Sequence, residues 1–163
     1  MNKQEMKICL WYDDQAEEAV RFYTSIFADS ETGQVSRFGK EGFEHHGKPE
    51  GTAMAVEFSL NGMKFIALNG GPLFRFNESV SITVYCETQE EIDHYWSRLT
   101  EGGTEQPCGW LKDKYGLSWQ IQPAVLPSLL TTVDPVRKER VLKALFRMTR
   151  FDLAKLQEAY DGK

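Results

Sequence analysis

The chain has 163 residues and a formal net charge of −5 at pH 7, and 41% of its residues are hydrophobic. These values predict one globular domain, or two small modules sharing a core, without a basic surface for nucleic acid. No apolar run is long enough to cross a membrane, and the N-terminal MNKQEMK lacks an apolar signal core, so we expect no membrane partner. Three widely spaced cysteines without a CxxC pair are typical of reduced thiols and predict a cytoplasmic protein.

The first half of the chain predicts one helix and four strands. The helix has about three turns, because apolar residues recur at helical spacing, and Asp13 or Asp14 is its expected N-cap. Asn61-Gly62 is the strongest hairpin signal in the sequence. In chain order the other elements are a strand at 6–12, a turn at 28–33, a strand at 34–38, a polar loop at 39–51, and strands at 52–60 and 63–69.

The second half predicts the same order of elements. A strand at 79–86 precedes a helix that Thr88 caps, with Glu91 in the capping-box position. A hairpin follows, with strands at 110–113 and 117–122 and a turn that needs the positive φ of Gly116.

The two halves therefore form a repeat. Pairing Tyr12 with Tyr85 gives an offset of 73 residues, and pairing Phe65 with Trp119 gives an offset of 54. Each copy reads as strand, helix and three strands, and such a half-sheet needs a partner to bury its open face.

The C-terminal segment predicts two further helices. Asp134-Pro135 is an N-cap followed by proline at the first helical position, and a second helix is expected at about 151–160. We predict an α+β fold in which residues 1–125 hold two βαβββ modules, 6–70 and 78–123, that form a curved mixed sheet around a cleft. Residues 126–163 are the predicted helical extension.

Four separated stretches of the sequence resemble one family. QAEEAVRFYTSIF, FSLNG, CETQEEID and CGWLKDKYGLSWQIQP occur in the order and spacing of the PhnB-like branch of the vicinal oxygen chelate superfamily. That superfamily includes glyoxalases, bleomycin resistance proteins and dioxygenases, and the branch is often labelled 3-demethylubiquinone-9 3-methyltransferase-like. The resemblance implies tandem βαβββ modules, a dimer and a concave ligand pocket, but no particular reaction.

The resemblance also locates the positions at which metal-using members hold a divalent cation. Here these positions are Ile8, Ser81 and Gln120, and the repeat mate of Gln120 is Ile66. Isoleucine offers no donor atom, and a serine hydroxyl with one amide does not make a catalytic metal site. His45 and His46 are adjacent in the 39–51 loop, and we interpret them as solvent-exposed.

Methyl transfer from S-adenosylmethionine usually requires a glycine-rich turn between a strand and a helix. Gly70-Gly71-Pro72 leads into a segment with Phe74 and Phe76 instead of a helix. We therefore expect neither a metal nor another cofactor.

Strand alternation predicts a concave face of apolar and neutral hydrogen-bonding side chains, as in many small-molecule pockets. It contains no His, Lys or Asp for general-base catalysis, and the acidic candidate, Glu57, is equally explained as facing solvent. The predicted ligand-binding residues are Gln120, Ser81, Thr83, Tyr85, Ile8, Leu10, Ile66 and Trp110.

Three functions remain open at the level of the sequence. The first is a metal-free protein that binds a small, neutral or aromatic molecule. The second is an enzyme of the superfamily, a lyase, dioxygenase or methyltransferase, acting on a quinone-like or other small substrate with unassigned catalytic residues. The third is a dimeric interaction module whose pocket is vestigial. In each case we expect a homodimer, because the apolar stripes of the tail need a surface to cover them.

The metal prediction is testable by elemental analysis of protein purified under mild conditions. We expect less than one equivalent of zinc, nickel, iron or manganese per chain, because Ile8 and Ile66 supply no ligand atoms. One equivalent of any of these metals that is lost in Gln120→Ala would contradict the prediction.

Overall fold

The computed structural model describes residues 4–163, which form two compact units, one ending at Arg75 and the other beginning at Phe76. The first unit contains β1 (Ile8–Tyr12), α1 (Ala16–Thr24), β2 (Ser30–Arg37), α2 (Phe43–His46), β3 (Ala53–Leu60) and β4 (Met63–Asn69). The second unit contains β5 (Ser81–Cys86), α3 (Gln89–Leu99), β6 (Thr104–Glu105), β7 (Trp110–Lys112), β8 (Ser118–Pro123), α4 (Leu126–Leu130), α5 (Pro135–Leu145) and α6 (Leu153–Asp161).

Each unit has one four-stranded mixed sheet, and the strand orders are β1-β4-β3-β2 and β5-β8-β7-β6. The first and last strands of each repeat run parallel, and the other neighbours are antiparallel. This arrangement confirms the predicted α+β fold of tandem βαβββ modules.

In the first unit α1 lies on one face of the sheet and buries Ala16, Ala19, Val20 and Tyr23. Its predicted capping by Asp13 or Asp14 is wrong. The carboxamide Oδ1 of Asn69, at the end of β4, accepts a hydrogen bond from the backbone N–H of Ala16 at 2.9 Å instead. A long-range contact thus replaces the local cap, and a search for capping residues beside the helix cannot find it.

Two further segments of the first unit differ from the sequence expectation. Residues 30–33 belong to β2 instead of a turn, because this edge strand pairs with β3 from Ser30 onwards. The predicted 39–51 loop contains the single helical turn α2. The hairpin at Asn61-Gly62 is confirmed, with positive φ at both residues.

In the second unit α3 lies on the sheet and buries Ile92, Trp96 and Leu99. Thr88 caps it as predicted, since its side chain accepts a hydrogen bond from the N–H of Glu91 at 3.2 Å. The strand residues on the covered face are fully buried; these are Leu111, Trp119 and Ile121.

The C-terminal segment belongs to the second unit and has three helices, of which α4 was not predicted. The N–H of Cys108 donates to the carbonyl of Met148 at 2.8 Å, and the N–H of Gly109 donates to that of Thr149 at 2.7 Å. Phe151 is 1% exposed at this contact. The tail is therefore attached to its own chain at the start of the β7–β8 hairpin.

Within residues 4–163 no helix combines the length and apolar character needed to span a membrane.

The two repeats differ by one residue between their first strand and first helix. Ala16 corresponds to Gln89, an offset of 73, but Tyr12 corresponds to Cys86, an offset of 74. The first connection, 13–15, is thus one residue longer than the second, 87–88. Side chains alternate between the two faces of the sheet along a strand. The one additional residue in the first connection therefore places every β1 side chain on the face opposite the one that an offset of 73 predicts.

The assignment of Ile8 and Leu10 to the ligand-binding face is therefore wrong. Ile8 pairs with Phe65 in the parallel β1–β4 ladder, and Leu10 pairs with Ala67. These residues share the face on which α1 packs, and Leu10 is only 4% exposed. Ile66 lies on the opposite face of the same sheet.

The close packing at Gly109 predicts a large loss of stability on substitution. Gly109 has φ +77°, and an added Cβ would lie 2.4 Å from Phe151 and 2.7 Å from the carbonyl of Ile121. We expect Gly109→Ala to lower the free energy of unfolding by about 3 kcal/mol in urea titrations followed by circular dichroism.

Gly71→Ala is the matched control, because Gly71 has φ +88° and no atom within 4 Å of the added Cβ. Gly71→Ala should lower the free energy of unfolding only by the cost of placing alanine at positive φ, about 1 kcal/mol. Equal losses in the two variants would contradict the packing argument.

Candidate functional site

The face of the second sheet opposite α3 carries a double row of polar side chains. Ser81, Thr83 and Tyr85 of β5 pair with Ser118, Gln120 and Gln122 of β8, residue for residue, in the parallel ladder. Their neighbours in the strands, which point the other way, are covered by α3. The strand alternation predicted for this half of the chain therefore holds.

A cavity of about 520 Å³ lies over one end of this face. Its floor is formed by polar side chains of β5 and β8, and its wall is formed by the short helix α4. We call it the α4 cavity. Its lining residues are Thr83, Tyr85, Gln120, Gln122, Leu126, Pro127, Leu130 and Thr131.

The floor of the α4 cavity is organised by a row of hydrogen bonds that we call the amide chain. Nε2 of Gln120 donates to Oγ of Ser81 at 2.9 Å. Nε2 of Gln122 donates to the backbone carbonyl of Cys108 at 3.3 Å and to Oε1 of Gln120 at 3.4 Å. Both amide side chains are therefore held in one orientation before any ligand arrives, which lowers the entropy cost of binding.

Asp113 shapes the hairpin that carries these glutamines. Its carboxylate accepts hydrogen bonds from the N–H groups of Tyr115 at 2.9 Å and Leu117 at 3.1 Å, and from Nε1 of Trp119 at 2.8 Å. Asp113 is 3% exposed and Trp119 is fully buried. One carboxylate thus holds both the turn and the buried side of β8. Because side chains alternate along the strand, this also places Gln120 and Gln122 on the opposite face.

The lining of the α4 cavity contains no Asp, Glu, Lys, Arg or His side chain. The nearby strand β7 does carry a charge, Lys112, but its Nζ is paired with the carboxylate of Glu78 at 2.5 Å. The cavity therefore offers no counter-charge to an ionic ligand.

One polar group on this face has no partner. The hydroxyl of Ser118 is fully buried, and within residues 4–163 no group accepts or donates a hydrogen bond to it. It lies beside Ser81 in the ladder, outside the lining of the α4 cavity.

The remaining predicted site residues lie elsewhere. Trp110 is opposite Gln120 on β7 but outside the cavity lining. Ile66 belongs to the first unit, where it pairs with Glu57 on the open face of that sheet. Glu57 is engaged there, because its carboxylate accepts a hydrogen bond from Nζ of Lys7 at 2.6 Å.

Two other candidate reactive groups, His46 and Cys86, make contacts typical of structural residues. His46 stacks on Phe38 with ring centroids 4.4 Å apart, and its Nδ1 accepts a hydrogen bond from the N–H of Lys48 at 3.0 Å. Burial, reinforced by the charge of Glu91, raises the pKa of the Cys86 thiol to about 12. Across residues 4–163, no three His, Cys, Asp or Glu side chains are grouped so that they could hold a metal ion.

Sequence reasoning missed the wall of the cavity. Helix α4 has only five residues, begins at Leu126 and has Pro127 in its first turn. Leu126 and Leu129 are buried, and Leu130 faces the cavity. The signal was present, because proline in the first turn and apolar residues three and four positions apart are typical of a short amphipathic helix.

The fold is shared with solved structures whose sequences are only distantly similar. The fosfomycin resistance protein FosX from Mesorhizobium loti has a TM-score of 0.55 and 14% identity over 81% of this chain and 100% of that one. A protein from Pseudomonas aeruginosa has a TM-score of 0.58 and 15% identity over 74% of this chain and 98% of that one. Identities this low show a shared fold alone.

Two closer matches define the family. A PhnB protein from Bacillus cereus is 36% identical over 74% of this chain and 100% of its own, with a TM-score of 0.66. The family model described as 3-demethylubiquinone-9 3-methyltransferase matches residues 4–122. The chain therefore belongs to this PhnB-like family. A comparison with curated proteins gives no match.

The role of Asp113 predicts a strong effect of its removal. Asp113→Ala leaves two backbone N–H groups and a buried indole N–H without an acceptor, so we expect the free energy of unfolding to fall by about 3 kcal/mol. Urea titration followed by tryptophan fluorescence measures this loss.

Asp134→Ala is the control, because the exposed Asp134 side chain also accepts from two N–H groups, those of Val136 and Arg137. Loss of this helix cap costs about 1 kcal/mol. A loss for Asp113→Ala no larger than for Asp134→Ala would contradict the assigned role.

Proposed function

We propose that this protein binds a small uncharged molecule with an aromatic ring in the α4 cavity. The observation that carries the proposal is the amide chain, which pre-orients Gln120 and Gln122 on the floor of a cavity without formal charges. Small-molecule pockets commonly combine a mostly apolar lining with a few oriented polar groups, and a volume of about 520 Å³ lies in their usual range.

The apolar part of the lining supports a ring-shaped ligand. Leu126, Pro127 and Leu130 form one wall, and Tyr85, which is 61% exposed, stands at the edge of the cavity. An exposed tyrosine ring offers a flat surface with a polar end, and aromatic pairs contribute about 0.5–1.5 kcal/mol beyond the area that they bury. A planar ligand would cover this ring.

Binding is better supported than proton-transfer catalysis. The lining contains no His, Asp, Glu or Lys, and Gln120 and Gln122 orient a ligand without exchanging protons at neutral pH. The name of the family refers to methyl transfer, but in this chain the Gly70-Gly71-Pro72 turn is followed by residues 73–80 without a helix. The proposal therefore assigns no reaction to the cavity.

A thermal-shift screen of small neutral aromatic compounds tests the proposal. We expect compounds that raise the Tm of the wild type to lose most of this effect in Gln120→Leu, because an amide–ligand hydrogen bond left unmade in a desolvated site costs about 1–3 kcal/mol. Gln157→Leu, an exposed glutamine on α6, is the control and should respond as the wild type does.

Compounds that shift the wild type and Gln120→Leu equally would show that they bind outside the α4 cavity. A screen without any stabilising neutral aromatic compound would overturn the proposal itself.

A further inference from the structure

A second cavity lies within the first unit, at the end of its sheet where β2 and β4 end and β3 begins. Its volume of about 540 Å³ is in the usual range of small-molecule pockets, and we call it the Phe38 cavity. The connection between β2 and β3 forms one wall, and the turn that follows β4 forms another. Its apolar lining consists of Phe38, Met54, Leu68 and Pro72.

His46 contributes a ring to the first wall, and backbone groups occupy both of its nitrogens. Nδ1 accepts a hydrogen bond from the N–H of Lys48 at 3.0 Å, and Nε2 lies 3.2 Å from the carbonyl oxygen of Glu41. An amide N–H only donates and a carbonyl only accepts, so the ring is the neutral tautomer with its hydrogen on Nε2. The one N–H and the one lone pair of this ring are thus both used by the protein.

The buried amide of the lining, Asn69, is also directed to the protein. Its Oδ1 accepts a hydrogen bond from the N–H of Ala16 at 2.9 Å, and its Nδ2 donates to the carbonyl of Ala53 at 2.9 Å. Asn69 is only 3% exposed. Its carboxamide therefore serves to join β3, β4 and α1, with each end bonded to a backbone group.

The backbone of the second wall is engaged in the same way. The N–H of Gly70 donates to the carbonyl of Tyr12 at 2.9 Å, and the N–H of Gly71 donates to that of Asp13 at 3.2 Å. The carbonyl of Gly71 accepts a hydrogen bond from Nε1 of Trp11 at 2.8 Å. The turn thus directs its polar groups to β1 and to the segment that follows β1.

The positive charge in the lining is compensated outside it. Nζ of Lys48 donates to the backbone carbonyl of Asp13 at 3.1 Å and lies 3.7 Å from the carboxylate of the same residue. His45 is exposed, and its Nε2 lies 3.4 Å from the carboxylate of Glu44, which is also exposed. Neither Asp13 nor Glu44 belongs to the lining, which contains no carboxylate.

We propose that the Phe38 cavity is a second ligand site, which takes an uncharged ring without hydrogen-bonding groups, such as an aromatic hydrocarbon. The polar groups described above are already bonded within the protein, so a polar ligand atom would lose water without gaining a partner. Each such atom lowers the affinity about tenfold. Burial of apolar ligand surface against the apolar lining is favourable. This site goes beyond the proposed function, because it lies in the other unit and selects a different chemistry.

Titration of the full-length protein with two matched probes tests the inference. Naphthalene has no hydrogen-bonding group, whereas quinoline has the same shape, one acceptor nitrogen and no charge at neutral pH. Because Met54 lines the cavity, the NMR signal of its ¹³C-labelled methyl group reports binding at this site, and Met54→Leu assigns that signal. We expect naphthalene to shift the signal with a dissociation constant about tenfold lower than that of quinoline.

Leu68→Asn extends the test, because it places an amide in the apolar lining. We expect it to weaken naphthalene binding about tenfold. Leu73→Asn is the control, since it makes the same change at an exposed leucine outside the lining, and it should keep the wild-type dissociation constant. The comparison of the two probes on the wild type stands even where a variant folds poorly.

Three results would overturn the inference. The first is a Met54 methyl signal that shows no saturable shift with naphthalene. The second is quinoline binding at this signal as tightly as naphthalene or more tightly. The third is a dissociation constant for naphthalene that changes equally in Leu68→Asn and Leu73→Asn. Since the Met54 signal reports the first unit, these results leave the proposed function of the α4 cavity standing.

Discussion

The second unit depends on one buried carboxylate. The Asp113 carboxylate accepts hydrogen bonds from two backbone N–H groups of its own turn and from the indole N–H of Trp119. These contacts stabilise the turn of the β7–β8 hairpin and also hold the buried side of β8 in place. A buried carboxylate is stable only where donors surround it, and N–H groups of Tyr115, Leu117 and Trp119 lie 2.8–3.1 Å from this one. The orientation of Gln120 and Gln122 on the outer face of β8 follows from this inner anchor.

The tail and the cavity are connected through a single short segment. The N–H groups of Cys108 and Gly109 donate hydrogen bonds to the carbonyls of Met148 and Thr149 in the tail. The carbonyl of Cys108 accepts a hydrogen bond from Gln122. Gly109 is also required by positive φ and by the closeness of Phe151. The tail is therefore part of the scaffold that holds the cavity floor, in addition to supplying its wall through α4.

Sequence patterns located most of the elements and the polar face of β5 and β8, because alternation and capping are local signals. These local patterns gave wrong predictions in two situations: where the stabilising contact comes from a distant part of the chain, and where a single additional residue changes which face a strand presents. The cap of α1 comes from Asn69 on another element. The face of β1 was inverted for Ile8 and Leu10 because one extra residue precedes α1, and sequence similarity aligned the helices instead of the strands. The donors and acceptors of the amide chain also depend on the Cys108 carbonyl, a backbone group that side-chain patterns do not reveal.

The internal repeat has a consequence for stoichiometry. In the last strand of the first unit, Ile66 and Leu68 occupy the places that Gln120 and Gln122 occupy in the second, so the backbone is duplicated but the hydrogen-bonding pair is not. Among the described residues, a last strand that carries this pair of glutamines thus occurs once per chain. Titration of the α4 cavity is expected to saturate at one ligand per polypeptide, although the architecture contains two copies of the unit.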